Sequence, residues 1–170
     1  INFGLMYGKS AFGLAAELEI SRTEAKDMIT KYFERYAGVK AFLDGLILGA
    51  KEKGESTTLL GRKRELREIN AKNPAMRAMA ERMAMNTPIQ GTAADLMKLA
   101  MIRIDDELTK GKYATKLVLQ VHDEFVLDAP PAEVEAVKKL VVHAMEHAFD
   151  GVMKLDIPLK VNVSTGATWA

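Results

Sequence analysis

Three groups of residues in this chain have types and spacing that can do chemistry. The first is His122-Asp123-Glu124, set between two short apolar runs. Tight turns ordinarily take Gly, Asn or Ser, so three titratable residues in a row there call for an explanation. Adjacent strand positions point to opposite faces, which separates Asp123 from Glu124 and argues against a matched acid–base pair. One carboxylate projecting from a rigid hairpin suits metal binding instead, because Mg²⁺ keeps several waters and binds through one or two carboxylates. A solvated turn is the other reading of the same tripeptide.

The second group is Arg82, Asn86 and Gln90, spaced by four, so a helix places them on similar faces despite Pro88 between them. Guanidinium and amide groups can donate to the minor-groove acceptors of a duplex, a pattern that hardly depends on sequence. A polar outer helix face is the alternative. The third group is Ile1-Asn2-Phe3-Gly4-Leu5-Met6-Tyr7-Gly8, where Phe3 and Tyr7 share a helix face and Gly4 and Gly8 strip bulk from beside them. Such an aromatic platform can stack on a planar base; two core aromatics would look the same. The basic stretch Gly61-Arg62-Lys63-Arg64 can meet phosphates or simply be solvated.

Elements to hold these groups are readable on either side of them. Ser21-Arg22-Thr23-Glu24 is a capping box. Behind it Ala25, Met28, Ile29, Tyr32, Phe33 and Tyr36 recur at helical spacing as one buried stripe, with Gly38 as the expected stop. A second helix is expected over 39–53, ending at Gly54, and a short extended piece over 57–60. Asn73-Pro74 reads as an N-cap followed by proline at the first helical position. That helix is expected to break near Thr87-Pro88, since proline disfavours a helical predecessor, and to resume through Leu108 before Gly111. Residues 116–121 and 124–128 read as two strands of a tight hairpin. A long amphipathic helix follows Pro130-Pro131, with Val134, Val137, Val141, Ala144, Met145 and Ala148 on its inner face, and 157–163 reads as a third strand. The fold class is therefore α+β: a helical part over 1–72, then a part over 73–170 with an antiparallel hairpin, a third strand and packed helices.

The 170 residues hold 24 Lys and Arg against 23 Asp and Glu, with no cysteine. That excludes disulfide frameworks, thiolate metal sites and cysteine nucleophiles. No apolar run is long enough to span a bilayer, and no secretory signal opens the chain. The neutrality is a cancellation. Residues 51–82 carry nine basic groups against five acidic, whereas 123–156 carry eight acidic groups against three lysines.

Taken together and in order, the motifs resemble one family. Asn2-Phe3-Gly4-Leu5-Met6-Tyr7-Gly8 is similar to the end of the nucleotide-binding helix of family A DNA polymerases, and Gly61-Arg62-Lys63-Arg64 to their Gly-Arg-Arg turn. Ala80-Glu81-Arg82 and Asn86-Thr87-Pro88-Ile89-Gln90-Gly91-Thr92-Ala93-Ala94-Asp95 resemble their long palm helix, and Gln120-Val121-His122-Asp123-Glu124 their carboxylate hairpin. The resemblance covers essentially the whole chain and points to bacterial members.

It implies a fingers-like part over 1–72 and a palm-like part over 73–170. The activity implied is template-directed nucleotidyl transfer from a dNTP to a primer 3′-hydroxyl, assisted by two Mg²⁺ ions. Asp123 corresponds to a catalytic metal ligand, and Glu124 to the supporting carboxylate beside it. Phe3 matches the residue beside the incoming sugar, where phenylalanine goes with rejecting nucleotides that lack the 3′-hydroxyl. Tyr7 matches the aromatic residue at the template and insertion site. Arg82, Asn86, Gln90 and His122 match the polar set near the primer terminus and its minor groove. The partners implied are primer–template DNA, dNTP and the remainder of a polymerase chain, with no membrane, in the bacterial cytoplasm at the nucleoid, serving replication and repair.

There are departures. The family's first catalytic aspartate lies in a motif resembling Asp-Tyr-Ser-Gln-Ile-Glu, and nothing similar occurs here. The chain opens at Ile1, inside what reads as a helix, just after the position of the family's triphosphate-binding Lys. The isolated chain is accordingly expected to be inactive, as the tail of a larger enzyme. Arg67-Glu68-Ile69 stands where Pro-Asp-Ile is usual, leaving the geometry of that turn open. A non-catalytic duplex-binding module of the same fold is the alternative function. A metal-dependent hydrolase is weaker, because His143 and His147 lie one turn apart on an otherwise ordinary helix.

Overall fold

The structure is a computed structural model that describes residues 2–169, with side chains from residue 4 onward. Two units divide between Thr92 and Ala93. None of its helices is long and apolar enough to cross a membrane, among the described residues.

The first unit begins with α1 (Asn2–Met6), α2 (Ala11–Leu18), α3 (Arg22–Arg35) and α4 (Ala37–Lys53). Ser10 caps α2 by accepting from the Gly13 amide. The capping box of α3 forms in full: the Glu24 amide donates to Ser21 Oγ at 3.2 Å and the Ser21 amide to Glu24 Oε2 at 3.0 Å. Those bonds hold the Glu24 carboxyl below its usual range. Leu5, Leu14, Ala15 and Ala25 close a small core between α1, α2 and α3, with Ile29 and Tyr32 against it. The buried stripe is narrower than its periodicity suggested, for Met28 and Tyr36 lie largely exposed. Gly38 does not end α3. The turn comes at Tyr36, and Gly38 sits in the first turn of α4, which does stop at a left-handed Gly54.

Strands β1 (Glu55–Thr57) and β2 (Lys63–Glu65) then form a short antiparallel hairpin. The extended piece thus lies earlier than residues 57–60, and Lys63 and Arg64 are strand residues rather than turn residues. Asn73 caps α5 (Pro74–Asn86) as its sequence requires, its Oδ1 accepting from the Ala75 amide at 2.9 Å. Ala50, Leu66, Ile69, Ala80 and Ala84 form the core beneath these elements.

The expected break at Pro88 is not a break. Residues Thr87–Gly91 form a π-helical turn that leads straight into α6 (Thr92–Lys110). Widening the helix by one residue accommodates the proline ring without ending the helix.

The second unit packs α6 and α7 (Val134–Glu146) through Met97, Ala100, Ile104, Leu108, Val137, Val141, Ala144 and Met145, and Leu117, Phe125 and Leu127 of the hairpin cover that seam. Strands β3 (Lys116–Val121) and β4 (Glu124–Asp128) occupy the residues expected. Their register shifts between Leu117 and Leu119, a bulge at Val118. Glu133 fastens the start of β3 by accepting from the Ala114 and Thr115 amides, both at 2.9 Å, and from Thr115 Oγ1 at 2.6 Å. Residues 157–163 are not a third strand. Leu159, Val161 and Val163 do turn partly inward, and Val161 joins the core, but its amide donates to Glu146 Oε1 at 3.1 Å. The alternation reports side-chain burial without a backbone ladder. The class stays α+β.

Candidate nucleic-acid and metal-ion sites

In the first unit, the structure brings two of the three groups together. Gly8 carries a left-handed φ of 77°, and a Cβ there would lie 2.6 Å from Met85 Cε and 3.2 Å from Arg82 Cγ. Glycine is needed both for the backbone conformation and for the close approach. The chain leaving α1 at Tyr7 therefore runs against α5 at Arg82, with Tyr7 half-buried and Arg82 exposed. Phe3 lies in α1, but its side chain falls outside the described residues.

Asn86 ends α5 and Gln90 lies within the π-turn. Gln90 is exposed and Asn86 half-buried. Asn86 Oδ1 is buried with no hydrogen-bond partner among the described residues. A buried amide left unsatisfied is costly, and it points to a group supplied from outside the chain or to bound water. Arg82, Asn86 and Gln90 thus offer donors and acceptors on a helix whose course is set by the π-turn.

The kink has a shell of hydroxyls that sequence reasoning missed. Four of the buried polar residues, Ser56, Thr58, Thr87 and Thr92, surround it. Pro88 has no N–H to offer the Ala84 carbonyl, and Ser56 Oγ donates to that oxygen at 3.0 Å. Thr87 Oγ1 donates to the Met83 carbonyl at 2.7 Å. Thr92 Oγ1 donates to the Pro88 carbonyl and accepts from the Leu59 amide at 2.9 Å. Thr58 fills the space beside Gly91, where a Cβ would lie 2.5 Å from Thr58 Cγ2. Proline four residues beyond a helical carbonyl was the available signal, since that carbonyl had to find another donor.

The basic segment is less free than its composition implies. Lys51 pairs with Glu81 at 2.7 Å, Lys63 with Glu55 at 2.9 Å and Arg67 with Glu65 at 3.2 Å. Arg64 and Arg82 make no ion pair among the described residues and are exposed.

The carboxylates belong to the second unit. The hairpin closes with Val121 opposite Glu124, so His122 and Asp123 form a two-residue turn. His122 has a φ of 51°, the left-handed region that glycine ordinarily fills. Gln120 Nε2 donates to its carbonyl at 2.7 Å and steadies the turn. His122, Asp123 and Glu124 are all exposed, and neither carboxylate makes an ion pair or hydrogen bond among the described residues. Both are therefore available as oxygen ligands. No group of three or more His, Asp or Glu that could hold a metal ion occurs among the described residues. That donor set fits an ion taking one or two carboxylates and filling its sphere with water and phosphate oxygens, the habit of Mg²⁺, and does not fit a closed protein cage. His143 and His147 stack with ring centroids 4.4 Å apart, and His147 Nδ1 lies 2.9 Å from Asp150 Oδ2.

Comparison with known proteins places the chain in a family. The pattern of DNA polymerase family A matches residues 1–170. DNA polymerase I of Streptococcus pneumoniae strain TIGR4 is 49% identical over 169 residues, covering 99% of this chain and 19% of that protein. DNA polymerase I of Bacillus caldotenax is 48% identical over the same share of each chain. Among solved structures, the POL domain of Pol1 from M. smegmatis in complex with DNA primer-template and dNTP aligns with a TM-score of 0.87 and 40% identity, over 94% of this chain and 27% of that one. The chain spans about one fifth of the length of the curated relatives it matches, and it belongs to DNA polymerase family A.

Proposed function

We propose that these residues form part of a DNA-directed DNA polymerase, with residues 1–72 fingers-like and 73–170 palm-like. The observation that carries this reading is the pair of unpartnered carboxylates at a rigid hairpin turn, in a chain matched along its length by family A. Asp123 is the catalytic metal ligand and Glu124 the supporting one. Bound Mg²⁺ would lower the pKa of a primer 3′-hydroxyl and offset the charge of the departing pyrophosphate. His122, Arg82, Asn86 and Gln90 are each assigned to recognition of the primer terminus. Their donors read minor-groove acceptors common to all correct pairs, so geometry is checked and sequence is not. Tyr7 and Phe3 are assigned to the insertion site by their match to the family's motif. The primer-template and dNTP of the M. smegmatis complex support the same partners here.

The remainder of a polymerase chain is also a partner. Val118 and Leu119 lie exposed at 56% and 41% on β3, surface that a further segment would cover. The complete enzyme works on DNA in the bacterial cytoplasm, in replication and repair.

The test is a chimera in which this chain replaces the matching 169-residue stretch of the Bacillus caldotenax polymerase. Primer extension within about tenfold of the parent is expected. A folded chimera that binds primer–template but does not extend it would overturn the catalytic reading in favour of a duplex-binding module. Such a module would bind DNA with a steep salt dependence that Asp123→Ala leaves unchanged.

A further inference from the structure

The β1–β2 hairpin does more than fill space beside the long helix. Pro88 leaves the Ala84 carbonyl without its helical donor, and the Ser56 hydroxyl, 7% exposed, supplies one at 3.0 Å from a residue 28 positions earlier. One turn on, the Leu59 amide of the same loop donates to Thr92 Oγ1, which in turn donates to the Pro88 carbonyl. Between these two bonds the loop lies so close that only glycine fits at position 91. The loop is itself closed by the Arg62 amide donating to Thr58 Oγ1 at 3.1 Å and the Thr58 amide to the Arg62 carbonyl at 2.9 Å. The wide turn is thus gripped at its entry, middle and exit by one short hairpin.

Asn86 sits midway between the gripped carbonyl of Ala84 and Pro88. Its Oδ1 has no partner among the described residues, so no bond of its own fixes the amide. The orientation of Asn86, and of Gln90 in the following turn, is left to the backbone that Ser56 and Thr92 hold.

We propose that Ser56 is a positioning residue for recognition of the primer terminus: its bond to Ala84 keeps the π-turn in register and so aims Asn86 and Gln90. This rests on the polymerase reading above. Helical proline sites often relax by re-pairing carbonyls with whatever donor is near. Losing the hydroxyl lets the turn do so, and the two amides lose their common aim while the hairpin carboxylates keep theirs.

The experiment is single-turnover extension of matched and mismatched primer termini by the same chimera, with Ser56 intact and as Ser56→Ala, Ser56→Cys and Ser56→Thr. For Ser56→Ala, discrimination against the mismatched terminus is expected to fall by about fivefold to tenfold, the equivalent of one buried hydrogen bond. The KM for dNTP opposite a matched terminus should stay within about twofold. Ser56→Thr keeps the donor and restores discrimination. Ser56→Cys, a weak donor of similar size, falls between and covers the case in which the alanine variant does not fold. Lowered melting temperature with unchanged discrimination in the alanine or cysteine variant would overturn the proposal, as would a threonine variant no better than alanine. Failure of the polymerase reading looks different: the unsubstituted chimera does not extend, or Asn86→Ala and Gln90→Ala leave discrimination unaltered.

Discussion

The helical kink at residues 84–92 and the carboxylate turn at 121–124 hold their polar groups in opposite ways. At the kink, Ser56 from a distant hairpin and the helix's own Thr87 and Thr92 donate hydroxyls to the Ala84, Met83 and Pro88 carbonyls. At the turn, the backbone is held by strand pairing and a single Gln120 bond, and both carboxylates are left free. Recognition groups need a fixed aim, and tertiary contacts provide one. Metal ligands need open valences, and a rigid two-residue turn supplies those without neutralising the charge. Under the proposed function, the contrast supports recognition by Arg82, Asn86 and Gln90 and metal binding by Asp123 and Glu124.

The largest effect should come from the free carboxylates. In the chimera, Asp123→Ala is expected to lower the single-turnover incorporation rate by about 10³-fold, since a metal ligand contributes several kcal/mol to the transition state. Glu124→Ala should cost less, and equal losses would dissolve the distinction between ligand and supporter.

Core packing beneath the turn comes next. Ile104 is fully buried between α6 and α7, and Ile104→Ala should destabilise the chain by about 2–5 kcal/mol in denaturant unfolding. At the other region, Gly8→Ala places a methyl against Met85 and Arg82 in a left-handed conformation, for a cost of about 1–3 kcal/mol. A stable Gly8→Ala variant would show that α1 does not depend on its close approach to α5.

Much of this was legible in the residues themselves. The capping box at Ser21, the Asn73-Pro74 start, the Gly54 stop and both strands of the carboxylate hairpin fall where local chemistry puts them. What local chemistry misjudged depended on distant partners. A proline inside a helical pattern reads as a stop, yet Ser56 and Thr92 stabilise a wider turn instead. The apolar alternation at 157–163 reads as a strand, but alternation reports which side chains turn inward and does not supply a sheet edge to bond. Gly38 reads as a helix stop, whereas the chain had already turned at Tyr36. Composition left open whether the basic segment meets phosphates or is only solvated, and Glu81, Glu55 and Glu65 take up three of its charges. The candidate site was visible as motifs; the hydroxyl shell that aims one of them was not, because no spacing rule links Ser56 to Ala84.

Acid should loosen the hairpin before the kink. Three hydrogen bonds hold the Glu133 carboxyl below its usual 4.5, led by that from Thr115. A depressed carboxyl stabilises the fold fully above its unfolded pKa and loses that contribution as pH falls through the lower folded value. Protection of the Ala114 and Thr115 amides, measured against their intrinsic exchange rates, should therefore fall below about pH 4.5, and in Glu133→Gln that loss should disappear. The smallest effect is at the turn itself. His122→Gly removes the cost of a left-handed non-glycine residue and should raise stability by up to about 1 kcal/mol. The same change removes a recognition group and should slow extension.

The division of labour is tested most directly by measuring primer–template affinity and single-turnover rate together, in the chimera carrying either Asp123→Ala or Gln90→Ala. Asp123→Ala is expected to lose rate by about 10³-fold with affinity within about twofold of the parent. Gln90→Ala should lose discrimination between matched and mismatched termini while keeping its matched rate within about tenfold. An Asp123→Ala chimera that still extends primers at near the parent rate would contradict the assignment of chemistry to the hairpin turn.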